Sequence, residues 1–248
     1  MRPCDHSCLA LFSAIALCAG FAVRAGAADN LVVRQRTSSS VASAAAPEEQ
    51  TQYWAQNRHI TDSAHVRVSV DFGAKTVTFI DKDKKTYFVR GLDDVRQQSE
   101  YMRKRLESLP PQAQEAMKQL MGSGPATLRP TGKAETIAGY AAAEYAIENA
   151  GPLNGSVWIT DAIEPPLAAA QREMVDLADG TPQGPAHRIA EAVAQHKGLA
   201  LRTEMSSALG KQKMTTTSEV VEVREQSPPP DMLRVPPGFK EVEAPKIH

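Results

Sequence analysis

The chain has 248 residues, 28 basic against 29 acidic side chains, and 42% hydrophobic residues. That near-neutral, interleaved charge excludes the basic stripe that nucleic acid or an anionic bilayer attracts, and the length suffices for a core without disulfide or metal staples. All three cysteines, Cys4, Cys8 and Cys18, lie in the first 27 residues, so a chain lacking that stretch has no thiol chemistry.

Residues 1–27 read as a cleavable export signal. Arg2 supplies the positive start, Leu9 to Val23 is apolar, and Ala25, Gly26 and Ala27 form a small-residue cleavage site. The apolar run is shorter than the roughly 20 residues of a spanning helix. Leu17 before Cys18 departs from a lipoprotein signal, which has a small residue there. Cleavage after Ala27 removes Arg2, Arg24 and Asp5 and leaves a mature chain of net charge about minus two. No later segment is long and apolar enough to span a membrane, so the expected location is the periplasm, in soluble form.

Leu31 to Arg36 reads as a short strand, followed by a Ser/Ala-rich loop from Thr37 to Glu49. Tyr53 and Trp54 open a strand-like region in which Val66, Val68, Val70 and Phe72 alternate with His65, Arg67, Ser69 and Asp71. This pattern buries the first set and wets the second. Thr76 to Ile80 and Thr86 to Arg90 follow as a hairpin around the charged connector Asp81 to Lys84.

The period then changes to three and four through Leu92, Val95, Ser99, Met102, Leu106 and Leu109, an amphipathic helix. Pro110 and Pro111 end it and start a second helix carrying Ala113, Ala116, Met117, Leu120 and Met121 on one face, up to Gly122 and Gly124. Strand patterns resume over Ala126 to Thr136, Tyr140 to Glu148 and Ser156 to Thr160, with a turn at Gly139. Leu167, Ala170, Met174 and Leu177 predict a further helix, and Ile189 with Val193 another. Leu199 to Ser206 and Lys213 to Arg224 are strand-like before a tail rich in proline.

About nine strands interrupted twice by helical pairs, without βαβ alternation, predict an α+β fold with helices on one face of an antiparallel sheet. The expected division is a signal over 1–27, a strand and flexible loop over 28–51, a single α+β domain over 52–226, and a Pro-rich tail over 227–248 packing on that domain through Leu233, Val235 and Phe239.

Several segments together resemble an uncharacterised family of exported bacterial domains related to the LolA and LolB lipoprotein-carrier fold. They are Thr86-Tyr87 in the charged hairpin, Leu109-Pro110-Pro111-Gln112-Ala113 at a helix start, and the run from Thr131 to Tyr140 ending Ile-Ala-Gly-Tyr and leading to Glu144-Tyr145. Ser156-Val157-Trp158-Ile159 and Val235-Pro236-Pro237-Gly238-Phe239 fit as well. The resemblance spans roughly Tyr53 to Glu243. It implies a strongly curved antiparallel sheet, an open or half barrel with helices on its concave face, and no catalytic residues.

On that reading Phe79, Tyr87, Met102, Met117, Met121, Tyr145, Trp158 and Met174 are the expected lining of an apolar cavity, with methionine supplying an adaptable lid. The expected ligand is a lipid, an acyl chain or a lipoprotein, with no cofactor and no metal. The alternative is a structural or envelope-partner module in which the same residues fill a closed core, and a hydrolase stands third. No Gly-x-Ser-x-Gly elbow occurs, and Gly122-Ser123-Gly124 reads as a helix-ending turn. His59 and His65, on segments expected to join around Thr61, Asp62 and Ser63, supply at most two ligands of a metal site. His187 and Glu191 stand four apart on a helix, a surface pair, and Asp93 with Asp94 suit a helix start.

Overall fold

The computed structural model describes residues 30–40, 47–55, 57–121, 125–150, 153–166, 185–209 and 212–245. The export signal and the helix expected around Met174 lie outside them. The described residues form one largely antiparallel sheet of twelve strands and three helices. In chain order these are β1 Asn30–Ser39, β2 Glu48–Ala55, β3 Arg58–Ser63, β4 Val66–Asp71, β5 Thr76–Asp81, β6 Thr86–Gly91, α1 Leu92–Glu107, α2 Pro111–Met121, β7 Thr127–Ile137, β8 Tyr140–Glu148, β9 Leu153–Thr160, α3 Pro185–Ala194, β10 Leu199–Leu209, β11 Gln212–Arg224 and β12 Lys240–Glu241.

The spatial order is β12-β6-β5-β4-β3-β2-β1-β11-β10-β9-β8-β7. Two meanders, β2 to β6 and β7 to β11, are joined through β1, which pairs with β2 on one side and β11 on the other. The helices α1 and α2 carry the chain between the two ends of the sheet, α1 packing beside β6, and α3 beside β7.

Strands β4, β5 and β6 recur every ten residues because two turns repeat the same chemistry. Asp71 Oδ1 accepts the Ala74 amide and Asp81 Oδ1 accepts the Lys84 amide, each at 2.8 Å. Lys75 and Lys85 then close the turns at φ 53°. Aspartate stabilises such a turn through its own backbone, and the left-handed residue restores strand register. The β7–β8 hairpin turns on Ala138 and Gly139, at φ 49° and 87°.

The core comes in three clusters. Leu31, Val33 and Trp54 join Val220, Leu199, Leu201, Ala142, Ile137 and Trp158 across the seam between the meanders. Val157, Ile159 and Ile147 meet Ile189 and Ala192 of α3. Val70 and Val77 meet Leu92 at the start of α1.

Two expectations need correction. The fold is mostly β rather than α+β, and the sheet is open, neither closed nor strongly curled. Both edges work against closure. The outer side of β6 is occupied by β12, the one parallel neighbour, and β7 carries Pro130 and a register irregularity between Pro130 and Ala134. Proline removes a ladder donor and an irregular edge resists further pairing. Second, Thr61, Asp62 and Ser63 are strand residues of β3, and the chain turns instead at Ala64 and His65.

Candidate apolar binding face

Directly paired residues of antiparallel strands point to the same face. Val68, Phe79 and Phe88 therefore form one row across β4, β5 and β6, and Val70, Val77 and Arg90 form the next. Leu92 and Val95 of α1 cover the second row at Val70 and Val77. The first row is less covered: Phe79 and Phe88 are half-buried and stacked with ring centres 4.9 Å apart, Val68 is half-buried, and Val66 beyond it is 43% exposed. The Arg90 guanidinium lies 5.7 Å from the Phe88 ring centre and is held by the Gln98 Oε1 at 3.0 Å and by the Pro245 carbonyl. An apolar strip with a helix at one end, open at the other, and a fixed cation at its margin is the result.

The reverse face of the same strands is occupied by the C-terminal segment. Arg58 donates to the Leu233 carbonyl at 3.1 Å, and Arg67 donates to the Asp231 carbonyl at 3.2 Å and the Arg234 carbonyl at 3.5 Å. Arg67, only 5% exposed, also binds Asp62 at 2.7 Å, while Lys82 reaches the same carboxylate at 2.8 Å. The alternation in β4 is thus inverted at its start: the arginine expected in water is buried and Val66 is exposed.

Of the expected cavity residues, Phe79 belongs to the strip and Met102 is a position of α1, while Met117 and Met121 are positions of α2; the surroundings of those methionine side chains lie outside the described residues, as does Met174. Tyr87 pairs with Ile80 on the reverse face, its hydroxyl donating to Glu241 at 3.2 Å. Tyr145 pairs with Val157 in the second meander and meets the His196 ring at 4.8 Å. Trp158 points to the opposite side, 5.1 Å from the Arg202 guanidinium. Seven strand spacings separate β5 from β9, about 34 Å at the usual inter-strand distance. Phe79, Tyr87, Tyr145 and Trp158 therefore do not line one cavity. Phe88 was missed because its membership of the strip depends on register, which a single strand's sequence does not carry.

The polar candidates are structural in their contacts. His59 is 3% exposed, under the Trp54 ring at 3.9 Å, with Nε2 3.3 Å from the Gln52 Oε1. Burial lowers its pKa to about 3, so it is neutral at ordinary pH. His65 is exposed and pairs with Asp83 at 2.9 Å, apart from His59. Among the described residues no group of three or more His, Cys, Asp or Glu converges as a metal site requires. In the second meander Arg202 reaches Glu219 at 2.5 Å and, across β9 and β8, Glu135 at 2.6 Å. Glu144 accepts from the Thr131 hydroxyl at 2.9 Å, and that bond, with others from Ser156 and Lys133, holds its carboxyl below the usual range.

No protein-family model and no curated protein sequence matches the chain. Solved structures do show likeness. An uncharacterised conserved protein from Thermus thermophilus is 8% identical with a TM-score of 0.45, over 87% of this chain and 90% of that one. MucB in complex with MucA(peri) is 9% identical with a TM-score of 0.39 over 87% of this chain, and PNGF-II is 10% identical with a TM-score of 0.38 over the same share. The chain spans 57% of the MucB chain and 31% of the PNGF-II chain.

Proposed function

We propose that this chain is an exported, non-catalytic binding protein of the cell envelope that takes an acyl chain on the strip of β4, β5 and β6 beside α1. The observation that carries the reading is the stacked Phe79–Phe88 pair, only partly buried, in line with Val68 and next to the exposed Val66. A chain of about 12 methylenes gains on the order of 10 kcal/mol gross at about 0.8 kcal/mol each when fully buried. Partial burial on an open strip keeps a fraction of that, set against the several kcal/mol lost on association. Arg90 at the margin suits the carboxylate or phosphate that ends such a chain. The apolar stretch and small-residue site in the first 27 residues support export.

The test is binding of a fluorescent fatty acid to the mature chain, compared with Phe79→Ser and Phe88→Ser variants checked by far-ultraviolet circular dichroism. Saturable binding that weakens at least tenfold in both folded variants is expected. Binding unchanged in either, or none in the parent, overturns the reading and leaves the partner-binding module.

A further inference from the structure

Where the strip ends, the junction of β6 with α1 opens a notch of about 480 Å³. Its floor is Val89 and Arg90 of β6, one wall is α1, and the opposite wall is the chain at Pro245. Asp94, Gln98 and Tyr101 recur along α1 at spacings of four and three, so they form one stripe turned to the notch, beside the Leu92 and Val95 stripe that packs on the sheet. The volume falls in the range of small-molecule pockets, in which a few placed polar groups decide what is bound.

Two opposite charges face this space without neutralising each other. The Arg90 guanidinium is fixed by the Gln98 Oε1 at 3.0 Å and by the Pro245 carbonyl, and because both acceptors are neutral its charge is left uncompensated. Asp93 is paired with Arg96 at 2.8 Å, whereas Asp94 has no ion-pair partner among the described residues, Arg90 included. A Cβ on Gly91 would stand 3.1 Å from the Asp94 Oδ2, so the bare glycine gives that carboxylate room to lean over the junction.

A cation and an anion on one rim complement a head group that carries both signs. A head group of negative charge alone pairs with Arg90 but meets Asp94 as a like charge, which works against it. The guanidinium also lies 5.7 Å from the Phe88 ring centre, so an acyl chain on the strip delivers its head group to this place.

We propose that the notch between β6, α1 and Pro245 is a head-group site for a single-chain zwitterionic amphiphile, with its phosphate on Arg90 and its primary ammonium on Asp94. Both contacts are charge-assisted hydrogen bonds. The assignment deepens the acyl-chain reading of the strip and rests on it.

Lauroyl lysophosphatidylethanolamine and lauroyl lysophosphatidic acid share the acyl chain and the phosphate and differ in the ammonium. In calorimetric titrations of residues 28–248 below the micelle concentrations, the ethanolamine lipid should bind about tenfold more tightly. Asp94 makes no ion pair, so Asp94→Asn should keep the fold, checked by far-ultraviolet circular dichroism, and abolish the preference by weakening the ethanolamine lipid alone. Equal affinity of the parent for both lipids, or a preference that survives Asp94→Asn, overturns the head-group site, while the strip reading stands if Phe79→Ser weakens both lipids. Binding of neither lipid overturns the two readings together.

Discussion

The two meanders solve the same problem, covering a sheet face, with different material. In β7 to β10 the central residues Val157 and Ile159 are sealed by Ile189 and Ala192 of α3, and the reverse side is laced by Arg202 with Glu135 and Glu219. In β2 to β6 one face is covered by a segment from the far end of the chain, and the other, among the described residues, in part by the first turn of α1. Sealing on both sides makes the second meander the rigid element. Partial cover leaves apolar surface on the first, the surface on which the proposed binding would draw, in the region expected to be the less stable.

The contrast can be broken most severely in the sealed half. A Cβ at Gly155 would lie 1.9 Å from the Glu204 carbonyl oxygen, so β9 and β10 approach too closely for any side chain there. Gly155→Val is expected to cost on the order of 4 kcal/mol by forcing the pair apart, read as a fall in the urea midpoint. A loss under about 1 kcal/mol means the sealed half is more pliant than described.

Acid should act on the first meander. Burial keeps His59 neutral in the folded chain down to about pH 3, whereas the unfolded chain protonates near the ordinary histidine value of 6.5. Between those values the unfolded state binds more protons, so stability present above pH 6.5 is lost as pH falls, by up to about 1.4 kcal/mol per unit. Urea melts at pH 7 and pH 4 should differ by about 3 kcal/mol from this residue. The His59→Phe variant should flatten that dependence; an unchanged slope places the acid sensitivity elsewhere.

A smaller loss is expected from Arg67→Met. Lys82 still pairs with Asp62, but the carbonyls of Asp231 and Arg234 lose their donor, worth about 2 kcal/mol together. Limited proteolysis should then cut after Arg234 faster than in the parent, and equal rates would mean the segment is held by β12 alone. Smallest is Val66→Thr, at an exposed position of the strip: within about 0.5 kcal/mol on stability, it separates the proposed binding role of the strip from any role in folding.

The same contrast explains what sequence alone conveyed. Alternation and the Asp-capped turns fix β4, β5 and β6 within a residue of where they are read, and the change to a spacing of three and four fixes the start of α1. These are local signals. Arg67 lay beyond them, because its burial comes from residues 231 to 234. Phe88 and Tyr87 are adjacent in sequence, and only pairing with Phe79 and Ile80 decides which of them faces α1. Openness of the sheet likewise depends on its two edges, set by β12 and by Pro130, which no strand's periodicity records.

The most direct test is a titration of residues 28–248, with methyl-labelled valine and isoleucine and ring-labelled phenylalanine, by sodium dodecanoate below its micelle concentration, followed by nuclear magnetic resonance. The expected result is saturable shifts at Val66, Val68, Phe79 and Phe88 with Val157, Ile159 and Ile189 unmoved. Shifts centred on the α3 cluster, or none at all, would contradict the assignment of binding to the partly covered meander.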